Sequence, residues 1–410
     1  MAYSPFNFKG VIDTTLRDGQ QSPLLFDTYT YRFTLEDKMM ILKGMIELGV
    51  KSIEFFSPVV NGNEKDDFLE LKEYARTLNP SVRLLAHCRC HPDDIEQAIS
   101  AGFDGLNLFL GVSEYSQNFS HGMTMTEIIR RSRSLIKSLR KNNPAMYIRF
   151  SGEDCFRTKL TDVYKVYDEV GEYVDTFGMP DTVGIATPEL VRKRVRALKK
   201  RYPTVDLECH FHNDRGLSVI NAVTAIQSGA SYIDTSVWGM AERSGITSVT
   251  ALLFNLYQDH PELCESFNLE VCYPLNVLMG SILKYHVPYN EPVSVTNRTH
   301  TAGVHQKAVL NNKIVYEAMD LRKFGVTKNQ LLLGPLSGWN LISYFLREFK
   351  NYDISKDQAR EITKLFKKQI GRIGRMQNPE SILDEILENY MLKKFPVEPQ
   401  VINGRIEHLS

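Results

Sequence analysis

The sequence lacks the features that would assign it to several specialised classes. Its 49 basic and 49 acidic residues leave no formal net charge, so the composition gives no reason to expect nucleic acid or an anionic membrane surface as a partner. No apolar run approaches the length of a membrane span. The first residues also lack the basic and apolar pattern of a secretory signal. We therefore expect a cytoplasmic protein.

Cysteines are few, and phosphate-binding loops are absent. The six cysteines in 410 residues include no CxxC pair, so we expect free thiols in a reducing compartment. Neither a GxGxxG nor a GxxxxGK[ST] motif occurs, which disfavours a nucleotide-binding doubly wound sheet. A hydrophobic fraction of 43% excludes a disordered chain and suits a large core.

The first two-thirds of the chain repeats one pattern. Eight short apolar or alternating runs are separated by helix-like segments such as Leu35–Leu48, which is typical of βαβ units and a parallel sheet. Eight units in about 250 residues predict an α/β fold, a (β/α)8 TIM barrel over residues 8–260. An open doubly wound sheet is the alternative. The runs lie near residues 10–17, 52–57, 83–90, 105–111, 146–151, 174–179, 205–211 and 232–238.

The pattern changes near His260. A helix is predicted from Leu269 to about Tyr285, and the polar stretch 287–303 reads as a loop with functional content. The remainder is predicted to be mostly helical, with a capping box at Ser355-Lys-Asp-Gln358. We expect a helical C-terminal appendage over 261–396 and a tail over 397–410.

Two histidines at the end of the seventh run suggest a metal site. His210 and His212 are two apart, so on a strand their imidazoles project from the same face. Such a pair alone is more often hydrogen-bonded than metal-bound. Asp18, after the first run, would be a natural third ligand because active sites form where barrel strands end. Two imidazoles and a carboxylate leave positions open for a chelating substrate.

Other polar residues fall at the same ends of the predicted strands. Arg17 could stabilise an oxyanion. Arg149 and Ser151 share a face, and Arg149 suits either a substrate carboxylate or a neighbouring acidic side chain; the sequence leaves both open. Within His87-Cys-Arg-Cys-His91, alternation separates the cysteines from the histidines, which disfavours a metal there. His87 is more plausible as a hydrogen-bond donor to substrate.

These residues resemble a known family. Asp13-Thr-Thr-Leu-Arg-Asp-Gly19 with His210-Phe-His-Asn213 resembles the metal-dependent TIM-barrel lyases and synthases, which include isopropylmalate, citramalate and homocitrate synthases and hydroxymethylglutaryl-CoA lyase. Further motifs narrow the resemblance to homocitrate synthases, and it extends over about residues 8–345. Those motifs lie at 149–154, 181–188, 242–247, 302–308 and 325–340.

The resemblance implies an acyltransferase that performs a Claisen-type condensation of acetyl-CoA with a 2-oxo acid chelated to magnesium, manganese or zinc. The best candidate is 2-oxoglutarate, giving homocitrate and CoA. The segment carrying His305 crosses to a neighbouring subunit in the family, which implies a homodimer. The implied metal ligands are Asp18, His210 and His212; the catalytic residues are Arg17, Glu153, His305 and Tyr316; the oxo-acid contacts are His87, Arg149, Ser151 and Thr182.

Four positions either distinguish members of this family or depart from its usual residues. Ile246 matches homocitrate synthases, whereas Asp18 matches isopropylmalate synthases, since homocitrate synthases often carry Glu there. Gln20 replaces a usual Glu, and Ala241 a usual Gly. The mixed pattern leaves 2-oxoisovalerate, pyruvate or a phosphonate-bearing oxo acid as alternatives.

Two other functions are weighed against a synthase. A metal-dependent lyase or aldolase is disfavoured because lyases of this superfamily usually lack the C-terminal appendage. A non-catalytic relative is disfavoured because every acid, base and ligand position is present.

Overall fold

A computed structural model describes residues 6–372, 378–390 and 405–408. Eight parallel strands close into a barrel in which each strand pairs with the next and β8 pairs with β1. This confirms the predicted (β/α)8 fold. The strands are β1 Gly10–Asp13, β2 Ser52–Phe56, β3 Arg83–Arg89, β4 Gly105–Gly111, β5 Tyr147–Glu153, β6 Thr176–Asp181, β7 Asp206–Phe211 and β8 Tyr232–Thr235.

Helices follow the strands. The predicted helix Leu35–Leu48 forms with those bounds. Thr34 and Asp37 make a reciprocal capping box at its start, and Gly49 ends it in the left-handed conformation. The helices of this part are α1 Pro23–Asp27, α2 Leu35–Leu48, α3 Gly62–Leu78, α4 Pro92–Ala101, α5 Glu114–Phe119, α6 Met125–Asn142, α7 Leu160–Val170, α8 Pro188–Arg201, α9 Ser218–Ser228, α10 Val249–Asp259 and α11 Cys272–Leu283.

Strand alternation separates an apolar layer from a polar one. Phe150 on β5 is buried and meets Tyr167 of α7 edge-on, so this side of the strand packs against the helices. Its neighbour Arg149 is also buried but bonds Asp234 on β8, so the other side faces the barrel interior. The period of two therefore gives the barrel an apolar outer core and a charged interior.

Contacts between backbone positions divide the chain into two compact units, Met1–Pro288 and Tyr289–Ser410. Helix α11 belongs to the first, where Leu275 packs against Gly44 of α2. The domain limits predicted from sequence at 260 and 396 stay a prediction. No helix among the described residues combines the length and apolar character that a membrane span requires.

The second unit is built from helices and a small sheet. Its core includes Leu331, Phe345 and Phe366, and the predicted capping box at Ser355 forms with Gln358. Of the predicted tail, only residues 405–408 are among those described, and they form a strand. The elements are β9 Thr299–His300, β10 Asn329–Leu332 and β11 Arg405–His408, with α12 Gly303–Asn311, α13 Trp339–Lys350, α14 Lys356–Ile370 and α15 Pro379–Tyr390.

Candidate active site

A cavity of about 300 Å³ opens at the C-terminal ends of the barrel strands. Nine of the eleven predicted site residues line it, while His305 and Tyr316 lie in the second unit. The lining residues are Arg17, Asp18, Gln21, His87, Asn107, Phe109, Arg149, Ser151, Glu153, Pro180, Thr182, Glu208, His210, His212, Asp234, Glu242 and Arg243.

A tight turn after β1 presents Arg17 and Asp18. The strand ends at Asp13, earlier than the predicted residue 17, because the Asp13 carboxyl group accepts hydrogen bonds from the backbone N–H and hydroxyl of Thr15. The chain then enters a short 3-10 helix, Asp18–Gln21. Arg17 and Asp18 are therefore held on a buried turn rather than on the strand itself.

Asp18, His210 and His212 form a group suited to a metal ion. One carboxylate oxygen and one nitrogen from each imidazole lie within 4.8 Å of one another. Only β8 separates β7 from β1 around the barrel, which brings the histidines to the turn that carries Asp18. The structure thus assembles the three residues that the sequence singled out as ligands.

Hydrogen bonds orient both imidazoles toward the centre of this group. The Nδ1 of His212 lies 3.2 Å from the carbonyl oxygen of Gly245, and the Nδ1 of His210 lies 3.2 Å from an oxygen of Asp234. Because a carbonyl and a carboxylate only accept, each Nδ1 donates and each Nε2 is left with a lone pair. Asp18 Oδ2 lies 3.5 Å from His210 Nε2 and is buried without a hydrogen-bond partner.

The protonation of the group also fits a cation. Burial and the neighbouring His210 lower the pKa of His212 to about 3. Burial opposes ionisation of Asp18, but Arg17 and the imidazoles outweigh it and lower the pKa of that carboxyl. A neutral imidazole and an ionised carboxylate are the forms that bind a divalent metal. The Asp18 oxygen, which pairs with Arg17 but accepts no hydrogen bond, and this donor set therefore fit a divalent ion.

Gly245 is required for this arrangement. Its backbone has φ +85°, and a Cβ there would lie 2.1 Å from the carbonyl oxygen of Gly239. Any other residue would be strained at this φ, and its Cβ would clash with the backbone of Gly239, so glycine is required here. The carbonyl of Gly245 is consequently free to accept from His212 and from the backbone N–H of Asn213.

A buried chain of alternating charges crosses the barrel and forms part of the cavity lining; we refer to it as the charge chain. Arg17 bonds Glu54 at 2.8 Å, Glu54 bonds Arg149 at 2.5 Å, and Arg149 bonds Asp234 at 2.8 Å. Asp234 in turn bonds the metal-group residue His210. Neither Glu54 nor Asp234 was predicted as a site residue from the sequence. A signal was available, because each is an acidic residue within an otherwise apolar strand, and such a residue requires a buried partner.

Arg149 is held by protein carboxylates. Its side chain is only 1% exposed, its two Nη atoms bond Glu54 and Asp234, and its Nε is buried without a partner. Burial opposes its charge, but Asp234, Glu208 and Glu54 outweigh it and raise the pKa of the guanidinium. The sequence left two partners open for Arg149, a substrate carboxylate or a neighbouring acidic side chain. The structure shows it paired with neighbouring acidic side chains. Its contact with the oxo acid stays a prediction.

Glu153 and Thr182 lie at the rim. Burial and the adjacent Asp154 raise the pKa of the Glu153 carboxyl, against a smaller opposite effect from His121. The backbone N–H of Asp154 donates to the Thr182 hydroxyl at 2.9 Å, which leaves the Thr182 proton for another acceptor. A carboxylate with a raised pKa is a better proton acceptor than an ordinary one, as a general base requires.

The His87–His91 stretch contains no second metal group among the described residues. Cys88 and Cys90 are buried, whereas Arg89 pairs with Asp94 and His91 caps α4. The separation of cysteines from histidines is the one expected from strand alternation. His87 alone of this stretch lines the cavity.

In the second unit, His305 and Tyr316 form one structural pair. Their rings stack with centroids 3.9 Å apart. The segment carrying Tyr316 is anchored by Glu317, which accepts hydrogen bonds from Arg298 at 2.9 Å and Asn329 at 3.2 Å. Large apolar side chains of this region are exposed in the isolated chain: Val304, Ile314, Val315, Met319 and Leu336.

Comparison with known sequences identifies relatives over nearly the whole chain. Residues 10–272 match the HMGL-like family, and residues 293–372 match the homocitrate synthase post-HMGL domain-like family. The cytosolic homocitrate synthase isozyme of Saccharomyces cerevisiae is 34% identical, over 97% of this chain and 89% of the relative. The mitochondrial homocitrate synthase of Schizosaccharomyces pombe is 35% identical over 89% and 85%. A 2-isopropylmalate synthase of Caldanaerobacter subterraneus is 29% identical over 87% and 89%.

Solved structures agree on the fold. The hydroxymethylglutaryl-CoA lyase of Pseudomonas aeruginosa superposes with a TM-score of 0.57 at 18% identity, covering 68% of this chain and 95% of the lyase. The HMG-CoA lyase of Brucella melitensis gives 0.55 at 20% identity, over 67% and 98%. These sequence matches, with the barrel and its candidate metal group, show that the chain belongs to the HMGL-like family, in the group that contains homocitrate synthases and 2-isopropylmalate synthases.

Proposed function

We propose that the protein condenses acetyl-CoA with 2-oxoglutarate and hydrolyses the resulting thioester, which releases homocitrate and CoA. The observation that carries this proposal is the group of Asp18, His210 and His212 beside Arg17, in a chain that matches homocitrate synthases over most of its length. Magnesium, manganese or zinc bound by these three residues would polarise the ketone of a chelated 2-oxo acid.

Arg17 is the proposed electrophile for the oxygen that gains negative charge. Its Nη1 lies 3.3 Å from Asp18, and its Nε and Nη2 bond Glu54 at 3.0 and 2.8 Å. The guanidinium is therefore oriented before substrate arrives. A cation held in place in a water-poor cavity stabilises a developing oxyanion without reorganising during the reaction.

Glu153 is the proposed base. Its carboxylate removes a proton from the methyl group of acetyl-CoA, and the methyl carbon then forms a bond to the ketone carbon of the oxo acid. The π electrons of the ketone move to its oxygen, which takes up a proton to give the product hydroxyl. Water cleaves the thioester, which releases the CoA thiol. The raised pKa of Glu153 supports this role because it makes the carboxylate a stronger proton acceptor.

His305 and Tyr316 are the proposed partners of Glu153 in proton transfer, supplied by the second subunit of a homodimer. The exposed apolar side chains around the stacked pair support this proposal, since such a patch usually marks a contact surface. His87, Arg149, Ser151 and Thr182 are the proposed contacts for the oxo acid. The cytoplasm stays the predicted compartment, and the relatives include both cytosolic and mitochondrial isozymes.

The substrate is tested by following CoA release with 2-oxoglutarate, 2-oxoisovalerate, pyruvate and a phosphonate-bearing oxo acid, with product masses determined. We expect 2-oxoglutarate to give the highest kcat/KM. Much faster turnover of another oxo acid would refute the substrate assignment. The Asp18→Asn variant should lose activity and bound metal together, whereas Asp168→Asn, which changes a carboxylate of an exposed ion pair, should retain both.

The shared site is tested by complementation. Asp18→Asn and His305→Ala are each expected to be inactive alone. Co-expressed, they form mixed dimers with one intact site, which would restore up to about a quarter of wild-type activity if the subunits pair at random. Activity no higher than that of the separate variants would contradict a site shared between subunits. Light scattering on the wild-type protein gives the oligomeric state directly.

A further inference from the structure

Asn107, on β4, lies between three of the polar residues of the cavity. Its side chain is 2% exposed, its Oδ1 is 3.0 Å from the Ser151 hydroxyl, and its Nδ2 is 3.0 Å from Glu54 and 2.8 Å from the Nδ1 of His87. The amide therefore has three neighbours, and its orientation determines which of them donate and which accept.

Glu54 fixes that orientation. It is fully buried, and although burial opposes ionisation, Arg149 and Arg17 outweigh it and hold the pKa of this carboxyl well below its usual range. An ionised carboxylate only accepts hydrogen bonds, so the Asn107 atom facing Glu54 must be the NH2 group. The amide oxygen then faces Ser151, whose hydroxyl donates to it.

The same NH2 group determines the tautomer of His87. Its second hydrogen points at His87 Nδ1, 2.8 Å away, so that nitrogen must be the acceptor. Glu54 Oε1 is also near Nδ1, and a bond between them would need a hydrogen on Nδ1. That distance is longer, however, at 3.3 Å, and Oε1 already accepts from Nε of Arg17 and forms an ion pair with its Nη2. A hydrogen on Nδ1 would instead face the hydrogens of the amide at close range.

The ring of His87 is also held in its plane. It stacks on Phe109 with centroids 4.4 Å apart and an interplanar angle of 16°. With Nδ1 directed at Asn107, the opposite edge of the ring is left for the cavity that His87 lines. Burial and the charge of Arg17 lower the pKa of His87 and outweigh the opposite effect of Glu54, which keeps the ring neutral near pH 7.

We propose that Asn107 is a positioning residue that sets His87 as the Nε2–H tautomer, so that His87 donates a hydrogen bond to an acceptor oxygen at the end of the oxo acid remote from the reacting ketone. This inference rests on the proposed function for the identity of the ligand. Specificity follows from it, because a site built to donate a hydrogen bond discriminates against an oxo acid that has no acceptor there.

The tautomer is measured first on the unliganded wild-type protein, by NMR of ¹⁵N-histidine-labelled enzyme, with His87 assigned from the spectrum of His87→Asn. We expect a protonated Nε2 and an unprotonated Nδ1. A protonated Nδ1 at pH 7 would overturn the proposal. Because no substrate is present, this result is independent of which oxo acid the enzyme uses.

Asn107→Asp is the informative variant. The Asp oxygen that replaces the amide nitrogen is either ionised or, if protonated, directs its hydrogen at the Glu54 carboxylate, so it accepts from His87 and the hydrogen should move to Nδ1. We expect the KM for 2-oxoglutarate to rise about tenfold, as for the loss of one hydrogen bond to a charged group, while the KM for acetyl-CoA and kcat change little. Asn255→Asp, the same change on the exposed face of α10, is the matched control and should leave both KM values unchanged.

A second variant tests the same proposal if Asn107→Asp does not fold. Asn107→Ser is smaller and neutral, and it removes the NH2 donor without adding a carboxylate. We expect a mixture of His87 tautomers and an intermediate KM. An unchanged tautomer in both variants would overturn the proposal, whereas the expected tautomers without turnover of 2-oxoglutarate would overturn only the proposed substrate.

Discussion

Replacing Arg149 by methionine tests whether this residue holds the barrel interior together. The substitution keeps an unbranched apolar stem but removes the guanidinium that bonds Glu54 and Asp234. Glu54 retains Arg17 as a cationic partner, so most of the penalty falls on Asp234, whose remaining partner is His210. We therefore expect a loss of stability from Asp234 rather than from Glu54.

The magnitude follows from the burial of the pair. Removing one partner of a buried ion pair costs about 3–5 kcal/mol, and the partner that Glu54 keeps puts Arg149→Met near the lower end of that range. At roughly 2 °C per kcal/mol for a domain of this size, the melting temperature of the barrel should fall by about 6 °C.

The chain offers a specific assay for this unfolding. It contains two tryptophans, of which Trp238 lies in the barrel unit and Trp339 in the second unit. In a Trp339→Phe background, tryptophan fluorescence reports the barrel alone. Arg133→Met, which removes one partner of an exposed ion pair with Glu169, is the control and should melt with the parent, because surface pairs contribute little. If Arg149→Met also melts with the parent, the charge chain does not stabilise the barrel.

Three further predictions concern metal content, catalysis and pH. His212→Ala should lose tightly bound divalent metal, measured by elemental analysis after gel filtration, while the barrel still folds by circular dichroism; full metal occupancy would exclude His212 as a ligand. The kcat of the wild-type enzyme should fall as the pH is lowered through a pKa above 4.5, because Glu153 must be unprotonated to act as a base and burial beside Asp154 raises its pKa. Glu153→Gln should lower kcat by a factor of about 10²–10⁴ and remove the fall of kcat at low pH. If the variant keeps that fall, the pH dependence belongs to another group. Burial raises the pKa of Asp13 from 3.8 to about 7, so between these two pH values the folded protein holds a proton that the unfolded chain releases. Stability therefore falls as the pH rises across this interval and levels off above pH 7. Between pH 5 and 8 the contribution of Asp13 to the free energy of unfolding should fall by about 3 kcal/mol. The free energy of unfolding in urea should therefore decline less with pH in Asp13→Asn than in the wild type, and identical pH profiles would contradict this prediction.

The barrel could be predicted because its period is visible in the sequence. Few folds other than a (β/α)8 barrel accommodate eight apolar runs separated by helical segments. Each predicted strand overlaps the observed one. The first strand was overestimated, since periodicity does not reveal that the Asp13 side chain bonds Thr15 and ends the strand. Local hydrogen bonding of this kind decides strand ends but leaves the apolar pattern unchanged.

The sequence predicted most residues of the candidate site, but it predicted few of the ion pairs and hydrogen bonds between them. Strand alternation and the rule that barrel sites form at strand ends were enough to collect Asp18, His210 and His212. They did not reveal that Arg149 pairs with Asp234, 85 residues away in the chain, or that Asn107 connects His87 to Glu54. Such pairings depend on the stagger of strands around the barrel, which single-strand patterns do not contain.

The placement of the cysteines has a practical consequence. All six are buried, and burial raises the pKa of Cys88, Cys90, Cys155 and Cys264 to about 12 and that of Cys209 well above its usual range. Since the thiolate is the reactive form, the folded protein should react slowly with thiol-specific dyes, and CoA released in an assay would be detected over a low background. The same dye would label the protein only as the barrel opens, so one reagent can report both turnover and unfolding.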